Sequence, residues 1–585
     1  MAIYAPSESP AVVTKEIDLT NGVPNVQSST GVIAGNFRWG PCNEPILINN
    51  EGNLVATFGS PSTASTIDFH SATSYLKYSN NLYVIRGMDS DTGKNAFEAG
   101  GSPARTAPTV ENDAEFDTMQ SGLDSDTHTM IAKYPGILGS SIGIQLVGSN
   151  AAASDAATYH QDFNAWAYKD NFDTGPGTSA HTAAIGGVND EVHVVITDTT
   201  GDLSGTKNSI LETYPYVSQA LGAQNADGTN NYIVDVINQR SQYVRMTNLF
   251  TSMGTGAGAV ATTSSDMKIT GGAISKTLGG GGDGDALGQD DYTTAYNTVN
   301  DTAQHQVDFL IAPSLNSSTD HVSLVNHLVT IAASTRKDCM VFASPMRTGV
   351  VNTSATANAT ILSGLAGLTK SSYLSVDNAF FKMYDKYNDN YIQVPAAAST
   401  AGLTAATDTN FAPWVSPAGT RRGQYFGVTA LNYNPNKIER DSLYRAGINP
   451  VTNFPGQGIM LFGDKTHLNR PSAFDRINVR RLFLVIERAI AEAAKNILFE
   501  FNDEFTRAEF VNIVEPLLRN IKGRRGISDY KLVADTTNNT PAIIDTNQFV
   551  ASLFIKPARS INFITLNFVA VRTGVSFEEV VGSAT

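Results

Sequence analysis

Cysteine is nearly missing from this chain: Cys42 and Cys339 are the two in 585 residues. Two thiols so far apart make neither a disulfide framework nor a zinc-ligand spacing. A stapled secreted fold and a zinc module are therefore excluded, and two buried thiols in a reducing compartment are expected. Positive charge is scarce as well. Lys and Arg total 40 against 55 Asp and Glu, a net charge of −15. Such a chain is a poor match to nucleic acid, whose phosphates call for clustered cations. Long apolar runs are absent too: nothing approaches the roughly 18 apolar residues of a membrane span. The opening MAIYAPSESPAVVTKEI lacks the basic stretch and apolar core of a secretory signal. The expectation is a chain made and used in soluble form, with no membrane insertion and no direct nucleic-acid contact.

What is present is apolar material, at 41% of residues, and 49 glycines. That length exceeds what one hydrophobic core sustains, so several domains are expected. The glycines, with abundant Ser, Thr and Asn, predict many turns and strands. Residues 1–20 hold little core pattern; Val12, Val13 and Ile17 fit one extended strand with no neighbour in sequence to pair with, which reads as an arm. From about 21 to 95 the runs TGVIAG, PILIN, LVATFG and NLYVIRG read as strands of a mixed sheet. From 96 to 190 Ser, Thr, Asp and Gly dominate around short strands such as Ile142–Val147, the pattern of an inserted β-rich domain. The mixed pattern returns over 191–440. There Val307–Pro313, Thr319–Arg336 and Cys339–Ser344 form a βαβ unit whose near-continuously apolar strands predict buried parallel pairing.

Residues 441–560 read as a C-terminal α/β domain. Leu482, Val485, Ile486, Ala489, Ile490, Ala493 and Ile497 recur at helical spacing within Arg480–Phe501. A second helix is expected to open at Thr506, with Glu509 completing a capping box. Its stripe is Phe510, Ile513, Val514, Leu517, Leu518 and Ile521. Pro516 inside it predicts a kink or a helix in two pieces, and Gly523 ends it. Gly526–Ala534, Phe549–Lys556 and Ser560–Arg572 read as strands. The last, which opens a C-terminal strand or arm over 561–585, is apolar on both faces: Ile564, Leu566 and Phe568 on one, Ile561, Phe563 and Val569 on the other. Such a strand needs cover on both sides and paired edges.

The chemical motifs fail on context. GSSIG places Ser141 as a nucleophile would sit, but IQLVG after it reads as a strand where a helix is needed. GGGGDGD over 279–285 has no Lys-Ser/Thr behind it and its aspartates are misspaced for calcium. In GQGIMLFGDKT, Gly456 and Gly458 lead into a strand and not into a helix N-terminus. His467 and Leu468 break the aspartyl-phosphate pattern begun at Asp464. His321 and His327, six apart, share no helix face. No catalytic residue, cofactor or metal ligand is nominated, and a non-enzymatic protein is expected. Two basic clusters stand out against the acidic background: Arg519, Lys522, Arg524, Arg525 and Lys531, and Arg480 and Arg481 behind Arg476. Each reads either as solvated charge, at a helix end in the first case, or as a docking patch for an acidic partner.

The ordered set of motifs resembles the tail sheath proteins of contractile-tailed bacteriophages over nearly the whole chain. Its strongest part is Ala446–Asp535: AGINPVTNFPGQGIMLFGDKT, then RINVRRLFLVIERAI, then the paired helices ending at Gly523. The family shows the same G-x-N turn, G-x-G-I strand ending in Gly-x-x-Thr, and N-x-R-R-L leading into a long helix. VPAAASTAGL with Asp408, Trp414 and PAG, the glycine-rich loop near 280, TGVIAGNFRWGPCNEP and LYVIRG are similar to further family segments. AKYPGILGSSIGIQLV is similar to the larger sheath proteins that carry an inserted domain.

The resemblance implies a mixed α/β multidomain fold: a discontinuous mixed-sheet core, an inserted β-rich outer domain, and a C-terminal domain with two long helices and strands completed by neighbouring subunits. It implies a structural subunit that stacks around an inner tail tube, contacts baseplate and tail terminator proteins, and contracts to deliver the genome. Location in the virion tail and assembly in the host cytoplasm follow. The N-terminal arm and C-terminal strand would enter neighbours, and the basic clusters would dock on the tube. The sheath of a non-viral contractile injection system is the alternative; such sheaths tend to lack the insertion, which favours a phage.

Overall fold

TGVIAG and LYVIRG, apolar on both faces, become adjacent parallel strands in the computed structural model, as runs of that kind predict. The structure describes residues 29–98, 107–123, 129–150, 161–250, 252–253, 256–353, 355–468 and 470–560. The arm and tail strand candidates Val12, Val13, Ile17, Ile561, Phe563, Ile564, Leu566, Phe568 and Val569 lie outside them. Strand β1 (Gly31–Gly35) pairs with β3 (Leu82–Arg86), and β2 (Pro45–Ile48) runs antiparallel along β3. LVATFG, expected as a strand, belongs to helix α1 (Glu51–Phe58). Asn50 caps it by accepting from the Asn53 N–H at 2.9 Å. Leu54 and Phe58, one turn apart, are its buried face. Helix α2 (Thr66–Leu76) then leads into β3.

The chain next builds a seven-stranded antiparallel sheet from β4 (Phe97–Glu98), β5 (Met130–Ala132), β6 (Ile142–Gly148), β7 (Glu191–Asp198), β8 (Ser209–Ser218), β9 (Val244–Met246) and β10 (Ala273–Gly279). Its order is β9-β5-β4-β10-β6-β7-β8. This corrects the boundary at 190. Strand β10 fills the slot between β4 and β6, so the β-rich segment is complete only at Gly279.

Helix α3 (Gln289–Asn297) returns the chain to the first sheet, which gains β11 (Phe309–Ile311), helix α4 (Ser318–Thr330), β12 (Met340–Ala343) and β13 (Leu374–Val376). The final order is β13-β12-β11-β1-β3-β2, parallel except for β2. The expected βαβ unit is present, its helix continued by a π-helical turn over Ile331–Arg336. Side chains alternate across the strands. Val32, Ala34, Leu310 and Val341 meet α3 and α4 on one face. Ile33, Phe309, Ile311 and Phe342 meet α2 and helix α5 (Ala397–Asn410) on the other. Cys42 and Cys339 are both buried thiols.

Outside α2 lies a three-stranded sheet of β14 (Phe380–Asp385), β15 (Asn390–Pro395) and β16 (Ala430–Leu431). GQGIMLFGDKT supplies the second strand of the hairpin β17 (Val451–Phe454) and β18 (Gly458–Leu461). Gly456 and Gly458, with φ of 76° and 79°, make its turn in the left-handed region that favours glycine. The body over Asn25–Arg488 includes this hairpin, because Asn449 N–H bonds Val376 O at 2.7 Å and Gly419 N–H bonds Leu461 O at 2.9 Å. The C-terminal domain expected from 441 therefore begins later: a second compact body starts at Ala489, within helix α6 (Ile477–Lys495). It holds helix α7 (Glu504–Gly523) and the antiparallel pair β19 (Ile527–Val533) and β20 (Ser552–Pro557).

Helix α7 is one piece through Pro516 and not two. Its cap is corrected: Asp503, and not Thr506, accepts from the Thr506 N–H at 2.8 Å. Asp503→Ala is expected to cost about 1 kcal/mol, while Thr506→Ala stays within about 0.5 kcal/mol. Urea unfolding of the two variants measures the difference, and equal losses would refute the assignment.

Candidate functional site

Helix α6 carries Arg481 and Arg488 two turns apart, on one face. Each meets an aspartate at the start of a core strand. Arg488 Nη1 lies 2.8 Å from Asp308 Oδ1, just before β11, and its Nη2 lies 3.8 Å from Asp338 Oδ2, before β12. Arg481 Nη1 is 3.6 Å from the same Asp308 oxygen, and its Nη2 pairs with Asp408 on α5. Arg336, from the π-helical turn, closes the row on Asp338 with two contacts of 3.0 Å. The result is an alternating ladder, Arg336–Asp338–Arg488–Asp308–Arg481–Asp408. Backbone groups complete it: Thr30 N–H donates to Asp308 at 3.1 Å, and Arg488 donates to Val307 O and Asp338 O at 2.9 Å. The Arg481 guanidinium also stands 4.4 Å from the Phe309 ring centre.

This arrangement overturns the docking role for Arg480 and Arg481. Arg481 is 1% exposed and Arg480 7%. Arg480 is held between the Phe474 and Tyr373 rings at 4.1 and 4.3 Å and donates to Ser372 Oγ. Burial holds the Arg480 guanidinium below its ordinary range, and pushes the Asp408 carboxyl up to about 7 while Arg481 opposes the rise. The sequence signal for this was available in the spacing Arg481/Arg488, but the aspartates come from three other elements.

The other basic cluster is exposed. Arg519 pairs with Glu515 at 3.0 Å and Lys522 with Asp529 at 3.1 Å, both at the surface. Arg524 and Arg525 follow the helix end, Arg525 with φ of 63°. Beside them β19 and β20 form a sheet of two strands, and among the described residues neither strand has a second strand partner. Leu498, Phe499, Phe501, Phe505 and Phe554 in the same body are each more than three-fifths exposed.

One buried set has the residue types of a hydrolytic triad. Ser344 Oγ donates to Asp377 at 2.9 Å and accepts from the Ala397 N–H, so its hydroxyl is committed. The His321 Nε2 donates to the Ser344 backbone oxygen, at 2.9 Å, and not to the hydroxyl. The set ties α4, β12, β13 and α5 together and presents no nucleophile. Ser141 donates to Leu138 O at 2.7 Å ahead of β6, in the strand context expected. Asp464 pairs with Arg476 at 2.9 Å. Among the described residues no cluster fits a metal ion, and no helix is long and apolar enough to cross a membrane.

These elements define a mixed α/β protein of more than one body. A family model described as the phage tail sheath protein central domain matches residues 285–467, and one described as the phage tail sheath C-terminal domain matches 469–570. The chain is 32% identical to the tail sheath protein of Enterobacteria phage T4, over 98% of this chain and 99% of that one. It is 30% identical to the tail sheath protein of Vibrio phage KVP40 at the same coverages. The chain belongs to the phage tail sheath family. Its fold is similar to the crystal structure of a sheath tail protein from Listeria innocua, with a TM-score of 0.54 and 14% identity over 92% of this chain and 93% of that one.

Arg481→Ala is expected to cost about 3–5 kcal/mol by leaving Asp308 and Asp408 short of a buried partner; unfolding in urea checks it, and a loss under 1 kcal/mol contradicts the ladder. Asp377 gives a pH test. Burial pushes its carboxyl up to about 7 from 3.8. Protonation therefore favours the fold, and this contribution is present at low pH and lost as pH rises through that window. Asp377→Asn removes it. The wild-type melting temperature minus that of the variant is expected to fall between pH 5 and 8 and to be flat if the carboxyl titrates normally.

Proposed function

We propose that this chain is the sheath subunit of a contractile phage tail. It polymerises around an inner tube and contracts to drive that tube through the host envelope. The observation that carries the reading is the pair β19 and β20, which among the described residues is a sheet of two strands, inside the segment that matches the sheath C-terminal domain. An isolated pair of strands is marginal. Strands from neighbouring copies, one from the N-terminal arm with Val12, Val13 and Ile17 and one from the tail with Ile561, Phe563, Ile564, Leu566, Phe568 and Val569, complete it by β-augmentation. The exposed Phe499, Phe501 and Phe505 are apolar surface of the kind that assembly covers.

Repeating head-to-tail contacts generate an open assembly. The extended sheath is metastable and persists through a kinetic barrier, and rigid-body rotation of subunits releases it. The ladder serves that motion: α6 is bolted to the strand ends, so movement of the core is passed into the helix. Arg519, Lys522, Arg524 and Arg525 dock on the tube, the β-rich insertion faces outward, and baseplate and terminator proteins cap the ends. Assembly takes place in the host cytoplasm, and the product is part of the virion tail.

Deleting residues 1–18 is expected to leave a folded monomer that forms no sheath by negative-stain microscopy; normal sheaths would refute the arm. Reversing Arg524 and Arg525 to Glu is expected to weaken co-sedimentation with purified tubes about tenfold. Unchanged binding would assign those residues to solvent.

A further inference from the structure

The sheet β15-β14-β16 has one face in the core, through Phe381, Met383, Ile392 and Val394. The residues between them point the other way. Tyr384 and Tyr391 stand opposite each other on that outer face, 50% and 54% exposed, with ring centres 5.6 Å apart. The Lys382 ammonium lies 4.8 Å from the Tyr391 ring centre. At the end of the sheet a cleft of about 460 Å³ is lined by Glu51, His70, Lys77, Tyr384 and Lys386. Gly427 also lines it, and the preceding Phe426 is 62% exposed. In an acidic chain this surface gathers Lys77, Lys382 and Lys386. Its carboxylates are already engaged: Glu51 with Lys386 at 3.1 Å and the Tyr387 hydroxyl at 2.9 Å, Asp389 with the Tyr384 hydroxyl, and Asp385 turned inward on Thr66 and Asn388. Among the described residues Lys77 and Lys382 form no ion pair. Exposed tyrosines are enriched at protein interfaces; the lysines beside them contribute steering and register more than buried contact.

The opposite charge sits on the α3 side of the same body. Asp89 and Asp91 follow β3, Asp283 and Asp285 lie in the glycine-rich loop after β10, and Asp290 and Asp291 open α3. The loops are tied together by Thr92, which accepts from the Asp285 N–H at 2.8 Å and donates to Asp89. Burial raises the Asp291 carboxyl above its ordinary range, and the charges of Asp89, Asp290 and Asp91 add to the rise, so these carboxylates share one field. None of the six has an ion pair among the described residues. The two surfaces flank opposite faces of the core sheet, because α2 covers one face and α3 the other.

We propose that the outer face of β15-β14-β16 and its cleft receive the aspartate-rich loops of a second copy of this chain. The inference rests on the sheath reading and names one of its contacts. A positive surface and a negative one on opposite faces of one rigid body cannot satisfy each other in a two-fold pair; they repeat head to tail, as a ring or an open helix. The charges set register and on-rate, and the aromatic side chains supply the desolvated area.

The test uses full-length chains. One variant carries Lys77→Glu, Lys382→Glu and Lys386→Glu, and the other Asp91→Lys, Asp283→Lys and Asp285→Lys. Polymer is measured by sedimentation and negative-stain microscopy, with and without purified tubes, and melts confirm that the variants fold. Each variant alone is expected to raise the concentration needed for polymer about tenfold or more. An equimolar mixture is expected to polymerise near the wild-type concentration, because each reversed surface then finds a reversed loop in an alternating polymer. If the lysine variant melts early, Lys77→Gln with Lys386→Gln replaces it, with an expected two- to threefold rise that grows smaller in high salt. Wild-type polymers alongside unaffected variants, or folded variants that mixing does not rescue, overturn this inference alone. Failure of the wild-type chain to polymerise even on tubes overturns the sheath reading and this contact with it.

Discussion

A guanidinium withdrawn from water must find carboxylates or carbonyls within hydrogen-bond reach, or the fold loses several kcal/mol. Helix α6 brings Arg481 and Arg488 under the core sheet, and that need fixes much of the architecture. Asp308 and Asp338 stand where β11 and β12 begin, and Asp408 stands on the buried helix α5. Three strand and helix ends are thus held at one height by a single helix. Apolar side chains of the same size would pack there as well, but they would not fix the register of α6 against the strands. Alternating charge does, since sliding the helix by one residue leaves like or unpaired groups facing each other.

The same economy of charge appears at the surface. The chain carries 16% charged residues, and the body over Asn25–Arg488 spends many of its arginines inside. Arg86, Arg336, Arg480 and Arg481 are all buried. Two groups of exposed cations stand out, one at the end of α7 and one on the outer face of β15-β14-β16, while the aspartates of the glycine-rich loop lie elsewhere. A sheath subunit must bind copies of itself in a repeating direction, and a surface with separated signs gives that direction.

Much of this was legible in the sequence, and the failures have physical causes. The parallel strands, the βαβ unit and the two C-terminal helices were readable because their apolar periods are long and unambiguous. LVATFG was misread because a short apolar run fits strand and helix alike; the Asn50 cap was the overlooked signal. The insertion boundary failed because β10 pairs with β4 and β6, more than a hundred residues earlier in the chain, and no local pattern encodes such pairing. Arg480 and Arg481 looked like surface charge because their partners, Asp308 and Asp408 among them, are scattered through the sequence. The family itself was legible end to end, since its motifs occur in one order.

Assembly as proposed requires that the β19–β20 sheet be finished by other copies. Cryo-electron microscopy of the polymer is the decisive measurement. Foreign strands are expected along both edges of the sheet of Ile527–Val533 and Ser552–Pro557, traceable to the N-terminal arm of one neighbour and the tail of another. A polymer in which that sheet keeps two strands would contradict it.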